Sequence, residues 1–294
     1  MTNQVTVAAT QMSCSWNIDE NIAKAETLIR DAAQQGAQII LIQELFETPY
    51  FCIEQNFKHQ ALARSLEDCE TIKRMQELAR SLKVVLPVSW YEKAGPVFFN
   101  SIAIIDADGS ILGVYRKSHI PNAIGYQEKE YFSPGDTGFK VWQTQYAGIG
   151  VAICGDQWFP EAARCMALAG AELLFYPTAI GSEPGNPDLK SVDHWRNTMC
   201  GHAAANIVPV IASNRIGLES GTEDDNLSVD FYGSSFIADE TGNRVAQADE
   251  ATETILVHTF DLDEIRNHRQ TWGVYRDRRV DLYGRLLTLD GQVN

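Results

Sequence analysis

Residues 104–112, IIDADGSIL, and residues 237–245, IADETGNRV, match when set side by side: an apolar strand end, an acidic turn, a glycine, then a return strand. Each reads as a hairpin. Working back from the first, Val5, Val7 and Ala9 alternate as a strand, and Asn17 with Glu20 opens a helix through Ile22, Ala25, Leu28, Ile29 and Ala32 that Gly36 ends. Gln38 to Gln43 (QIILIQ) is apolar enough to be a strand buried on both faces. A helix around Cys69 to Leu82 and the strand VVLPVSWYE complete the approach to that hairpin. The second hairpin follows the same rhythm: strand 148–154, helix 160–170, LLFYPTA, helix 192–206 and VPVIASN. Two related halves, each with strands, helices and a hairpin, predict an α/β fold. Two mixed sheets packed face to face with helices outside, a four-layer α-β-β-α sandwich, fit better than one doubly wound sheet. Coincidence of common turn chemistry is the competing account of the echo.

Composition agrees with a single domain over residues 1–294. Of the 294 residues 45% are hydrophobic, and no low-complexity tract or Pro/Ser-rich linker interrupts them. Residues from about 270 to 294, including TWGVYRDRRVDLYGRL, carry arginines and aromatics without periodicity, which suits an arm over a neighbour or a tail folded back on its own subunit. A formal charge of -15 argues against nucleic acid and anionic membrane as partners; it suits a cationic small molecule, and equally plain solubility. MTNQVTVAATQM has no basic region followed by an apolar one, and no apolar run approaches about 20 residues, so a cytoplasmic protein is expected. Six cysteines at irregular spacings without a CxxC pair indicate reduced thiols rather than disulfides or zinc.

One cysteine stands apart. In VAICGDQWFPEAAR (151–164) an apolar strand delivers Cys154 to its end, Gly155 permits close approach to the backbone, and FPEAAR starts a helix whose first N–H groups favour a thiolate. A nucleophilic thiol needs a proton acceptor, and no histidine has supporting context, His119 coming closest. Glu44 and Lys117 share the placement of Cys154, at the far end of a strand, where ligands bind in α/β sheets. Singly they read as a capping carboxylate and a solvated lysine. Together they offer a base and an oxyanion-stabilising cation.

The segments QELFETPYF (43–51), YRKSHIPNAIGYQEKEYFSPGD (115–136) and CGDQWFPEAAR (154–164) resemble the three catalytic motifs of the nitrilase superfamily. The resemblance runs through essentially the whole chain. It implies Glu44 as general base, Lys117 as oxyanion stabiliser, Cys154 as nucleophile, and Glu128 as the further glutamate orienting lysine and substrate. It also implies the four-layer sandwich, assembly through dimers into homo-oligomers, and no metal or organic cofactor. The wording is most similar to the branch that hydrolyses N-carbamoylputrescine, which implies Glu183 in GSEPGNP as the acid receiving a substrate ammonium and Tyr50 as a pocket tyrosine. A small cationic ureido compound is then the partner.

Two departures qualify the reading. Relatives of this type usually carry tryptophan where residue 155 is glycine; Gly155 keeps the backbone N–H of the oxyanion hole, but loss of the ring predicts a larger, looser acyl pocket. NAIG (122–125) also differs from the commoner DGPG. Arg196 or Arg215 facing the pocket would instead suit a substrate carboxylate, as in a β-ureidopropionase or N-carbamoyl-amino-acid amidase. A catalytically weak binding or scaffold member is the alternative of another class.

Overall fold

The first half of the chain runs β1 (Gln4–Gln11), α1 (Ile18–Gln34), β2 (Ile39–Leu41), α2 (Glu70–Leu82), β3 (Leu86–Ala94), β4 (Val97–Ile105) and β5 (Ile111–Arg116). After β6 (Val141–Gln143) the order returns as β7 (Gly148–Val151), α3 (Pro160–Leu168), β8 (Leu173–Pro177), α4 (Val192–Asn206) and β9 (Val210–Ser213). A two-stranded insertion, β10 (Ile216–Ser220) and β11 (Ser228–Tyr232), precedes the second hairpin, β12 (Phe236–Ala238) with β13 (Arg244–Gln247). β14 (Thr254–Asp261) and α5 (Leu262–Trp272) follow. The computed structural model describes residues 3–292 apart from residue 225.

Strand pairing repeats with the sequence. One sheet has β14, β1 and β2 in order; a parallel bridge between Ile39 and Val85, with Ile40 N–H donating to Val85 C=O at 3.0 Å, carries it on into β3, β4 and β5. The other runs β13, β12, β9, β8, β7, β6. In each, parallel strands joined through helices meet an antiparallel hairpin: β1, β2 and β3 with β4–β5, and β7, β8 and β9 with β12–β13. The echo between the two hairpins is therefore an echo of architecture.

Alternation along the strands builds the layers. Val5, Val7, Ala9, Ile39, Leu41, Ile102 and Ile104 face the second sheet, meeting Ile149, Val151, Leu173 and Phe175. Their neighbours Ala8, Ile40, Leu86, Val88 and Ala103 face outward onto Ile22, Ala25 and Ile29 of α1 and Ile72, Met75 and Leu78 of α2. On the far side, Met166 of α3 and Trp195, Met199 and Ala203 of α4 close the fourth layer. The Asn17 side chain accepts the Glu20 N–H and caps α1, and Gly36, at φ +92°, turns the chain beyond its end.

β2 is shorter than the QIILIQ run, and the glutamines that flank it also bond through their side chains. Gln38 Oε1 accepts the Thr6 N–H and Gln43 Oε1 the Met12 N–H, each at 3.0 Å. β7 likewise stops at Val151, short of residue 154, where the chain bends into a 3-10 turn over Cys154–Trp158. β2 runs parallel to β1 and β7 parallel to β8, and the chain beyond the carboxyl end of each carries Glu44 and Cys154. Among the described residues no helix is long and apolar enough to cross a membrane.

Candidate active site

Lys117 follows β5 directly, and its backbone N–H donates to Asn100 C=O at 2.9 Å, which registers it against β4. Its ammonium lies 2.9 Å from Glu44 Oε1 and 2.7 Å from both oxygens of Glu128, all three side chains being wholly buried. Burial opposes the charge on Lys117, but Glu128 and Glu44 overcome it and hold the ammonium well above its ordinary range. For Glu128 burial dominates over the pull of Lys117 and raises the carboxyl to about 7. The Asn100 amide donates to Glu44 Oε1 at 2.6 Å, whereas Glu44 Oε2 has no hydrogen-bond partner among the described residues. One carboxylate oxygen is thus fixed and the other unengaged.

Cys154 begins the 3-10 turn at φ +36°, a left-handed conformation that a side chain disfavours. Its Sγ lies 3.5 Å from Ala179 C=O. Burial, then the neighbouring Glu44 carboxylate, push the thiol well above its ordinary range, and Lys117 opposes them. Cys154 and Glu128 line one cavity, and a Cβ on the adjacent Gly155 would stand 3.3 Å from the Lys117 Cε. Gly155 N–H lies in the first turn, where amides lack partners within the helix.

Cys154, Gly155 and Glu128 line a cavity of about 320 Å³ together with His119, Tyr126, Phe159 and Glu183. Burial raises the Glu183 carboxyl, with the Ser191 hydroxyl opposing. The looser pocket expected of Gly155 is not found beside its Cα: a Cβ there would stand 2.6 Å from the His119 carbonyl oxygen and 3.3 Å from the Pro121 ring. The His119 carbonyl, the Lys117 Cε and the Pro121 ring occupy that space.

Tyr50, expected as a pocket tyrosine, instead donates its hydroxyl to Glu128 Oε1 at 2.6 Å and is not among the cavity-lining residues. Neither Arg196 nor Arg215 lines the cavity. Arg215 is wholly buried, with Nη1 3.0 Å from Glu219 and Nη2 donating to Glu44 C=O at 2.7 Å and Leu45 C=O at 3.0 Å. Arg196 reaches back toward Asp193 at 3.5 Å. Sequence reasoning passed over Asn100, although a polar residue inside the apolar run FFNSIAII was a signal, and Asp156, which lay within a quoted motif.

A thiol beside an ammonium and a carboxylate with one unengaged oxygen suits attack on a carbonyl carbon, with the proton passing to the carboxylate. The sequence profile of the carbon–nitrogen hydrolase family matches residues 6–270. An N-carbamoylputrescine amidase of Arabidopsis thaliana is 60% identical over 291 residues, 99% of this chain and 97% of that protein. A citrullinase of Francisella tularensis is 54% identical over 283 residues, 96% of this chain and 98% of that protein. Among solved structures, a carbon–nitrogen hydrolase from Helicobacter pylori G27 superposes with a TM-score of 0.91 at 36% identity, covering 97% of this chain and 99% of that one.

Proposed function

Because this chain belongs to the carbon–nitrogen hydrolase family, the nitrilase superfamily, we propose that it is an amidohydrolase that cleaves N-carbamoylputrescine to putrescine, carbon dioxide and ammonia. Glu44 takes the Cys154 proton as the sulfur attacks the carbamoyl carbon. Lys117 and the Gly155 N–H hold the resulting oxyanion, and Glu128, braced by Tyr50, holds Lys117. The protonated Glu44 then returns its proton to the departing amino group, which leaves as ammonia. Water, deprotonated by Glu44, attacks the carbamoyl thioester and expels the sulfur; the freed carbamate loses carbon dioxide and yields the amine. The observation that carries this reading is the Lys117 ammonium held at 2.7–2.9 Å by Glu128 and Glu44, with Glu128 and Cys154 lining one cavity.

Glu183 supports a cationic tail. A carboxylate that burial disfavours is relieved by an ammonium and aggravated by a second carboxylate. A second reading takes citrulline as substrate, whose tail bears both an ammonium and a carboxylate, with Glu183 in the cavity to meet the ammonium. The 54%-identical citrullinase points the same way. Ammonia release from N-carbamoylputrescine, citrulline and N-carbamoyl-β-alanine separates these: the cation is expected to have the highest kcat/KM, and activity confined to N-carbamoyl-β-alanine overturns both readings.

We further read the chain as a single cytoplasmic domain that forms homo-oligomers from dimers, with the segment from about 270 as an arm over a neighbouring copy. Val280, Leu282 and Leu286, each about two-thirds exposed, support that arm, since apolar side chains of this size gain from a covering surface. Truncation after Trp272 is expected to reduce the mass measured by light scattering.

A further inference from the structure

Asp156, two residues past Cys154, is wholly buried and surrounded by donors. Its Oδ2 accepts the Ile153 N–H at 2.9 Å and the Tyr115 hydroxyl at 2.7 Å, and its Oδ1 accepts the His119 N–H at 2.9 Å. The His119 ring nitrogen Nδ1 stands 2.7 Å from the same Oδ1. Those donors come from two places only. Ile153 is the residue before the nucleophile; Tyr115 and His119 lie two residues to either side of Lys117. A single carboxylate therefore ties the cysteine turn to the strand end that carries the lysine.

The turn has need of such a tie. Cys154 holds φ +36°, and a non-glycine residue keeps that conformation only where its surroundings over-determine it. The His119 ring, besides its bond to Asp156, lies flat on Phe159 with centroids 3.6 Å apart and planes 10° off parallel. Its carbonyl oxygen is the atom nearest to where a side chain on Gly155 would begin. Fixing His119 thus fixes the wall against the residue that follows the nucleophile.

We propose that Asp156 is a positioning residue of this active site: its carboxylate cross-links the nucleophile turn to the Lys117 strand end and so keeps the Cys154 thiol in register with Lys117 and Glu44. The inference rests on the reading of Cys154 as nucleophile given above. It assigns no bond between Asp156 and substrate.

Iodoacetamide tests it without reference to any substrate. The rate of Cys154 alkylation is followed by peptide mass spectrometry from pH 6 to 10 in the full-length protein and in Asp156→Asn, Tyr115→Phe and His119→Ala, with exposed Cys165 as an internal standard. Asp156→Asn keeps the shape but turns an amide toward donors on one side. A thiol released from its site leaves the burial and the Glu44 charge that hold it high, so its alkylation midpoint is expected to move down while the rate at Cys165 is unchanged. With N-carbamoylputrescine, kcat is expected to fall about 100-fold, the lower end of what a misplaced acid–base group costs, with KM within about threefold. Tyr115→Phe and His119→Ala each remove one donor and are expected to fall between wild type and Asp156→Asn; they decide the matter if Asp156→Asn does not fold. A Cys154 profile that overlays wild type in every folded variant overturns the proposal. Should the alkylation profiles shift as stated while wild-type protein releases ammonia from no ureido compound, the positioning role stands and the proposed reaction falls.

Discussion

The carbonyl oxygen of His119 stands 2.6 Å from the point where a Cβ on Gly155 would sit, closer than real side chains approach a backbone atom. The space beside the Gly155 Cα is thus occupied by backbone rather than left as a hole. Gly155→Ala must push His119 outward or distort the turn, and overpacking of this kind costs about 1–3 kcal/mol. Urea unfolding should register that loss, and ammonia release should show a lower kcat/KM. An alanine variant equal to wild type in both would mean the 119–121 segment yields freely and takes no part in shaping the site.

Asn100 and Glu44 form the other close contact behind the chemistry. With its Oε1 held by the Asn100 amide at 2.6 Å and by Lys117 at 2.9 Å, Glu44 has one orientation available and presents Oε2 unengaged. Asn100→Ala removes one of those two restraints. If Glu44 is the base, kcat should drop about 10- to 100-fold, since general acid–base catalysis contributes about 10²–10⁴ and the lysine contact survives. KM should change little, because Asn100 does not line the cavity. A variant that loses KM while keeping kcat would assign Asn100 to binding instead.

The parts of this site that sequence made legible are those announced by strand ends. Glu44, Lys117 and Cys154 each close an apolar run, and an apolar run that ends on a polar residue points to one edge of the sheet. Glu128 came from motif resemblance alone, and burial among Lys117 and Tyr50 accounts for its placement. Tyr50 shows the limit of a motif: the residue type is readable, but whether its ring faces the cavity or braces a carboxylate depends on packing across β11, where Phe231 meets it edge-on at 5.7 Å. Asn100 was signalled by its polarity within an apolar run, but the sequence does not say which buried carboxylate such an amide will meet. Gly155 is legible in the sequence only as a missing ring, and the close approach of the His119 carbonyl to its Cα shows only in the three-dimensional path of residues 119–121. The two halves, by contrast, were readable from turn chemistry, since each hairpin closes its sheet through local pairing.

Arg215 raises a question of stability rather than specificity. Its guanidinium is wholly buried, paired with Glu219 and donating to the carbonyls of Glu44, Leu45 and Thr48. Removing one member of a buried pair leaves the other charge uncompensated, at a cost of about 3–5 kcal/mol. Arg215→Met should therefore lower the urea midpoint sharply. Replacing Glu219 by leucine in the same chain should recover part of the loss, since an apolar pair leaves no buried charge unpaired. A double variant no more stable than the single one would place the cost in the buried backbone groups left without partners, the carbonyls that Arg215 served and the Tyr50 N–H that Glu219 accepts.

Glu54 gives a pH dependence that can be worked out in sign. Its Oε1 accepts the Thr222 N–H at 3.0 Å and the Thr222 hydroxyl at 2.6 Å, and its Oε2 accepts the Glu223 N–H at 2.9 Å, pinning the segment after β10 to the chain just beyond Tyr50. Burial works against the charge, but these donors outweigh it and bring the carboxyl from its ordinary 4.5 down to about 2. Below 4.5 the unfolded chain takes up a proton that the folded chain still refuses, so the folded state loses stability as pH falls from about 4.5 toward 2. Above 4.5 the contribution is present in full. Glu54→Gln carries no such charge, so it should be less stable than wild type at neutral pH, and the gap between them should narrow as pH is lowered through 4 to 3. Urea midpoints of both proteins across that range decide it. A gap of constant size would show that Glu54 holds the loop through shape and neutral hydrogen bonds, with its ionisation playing no part.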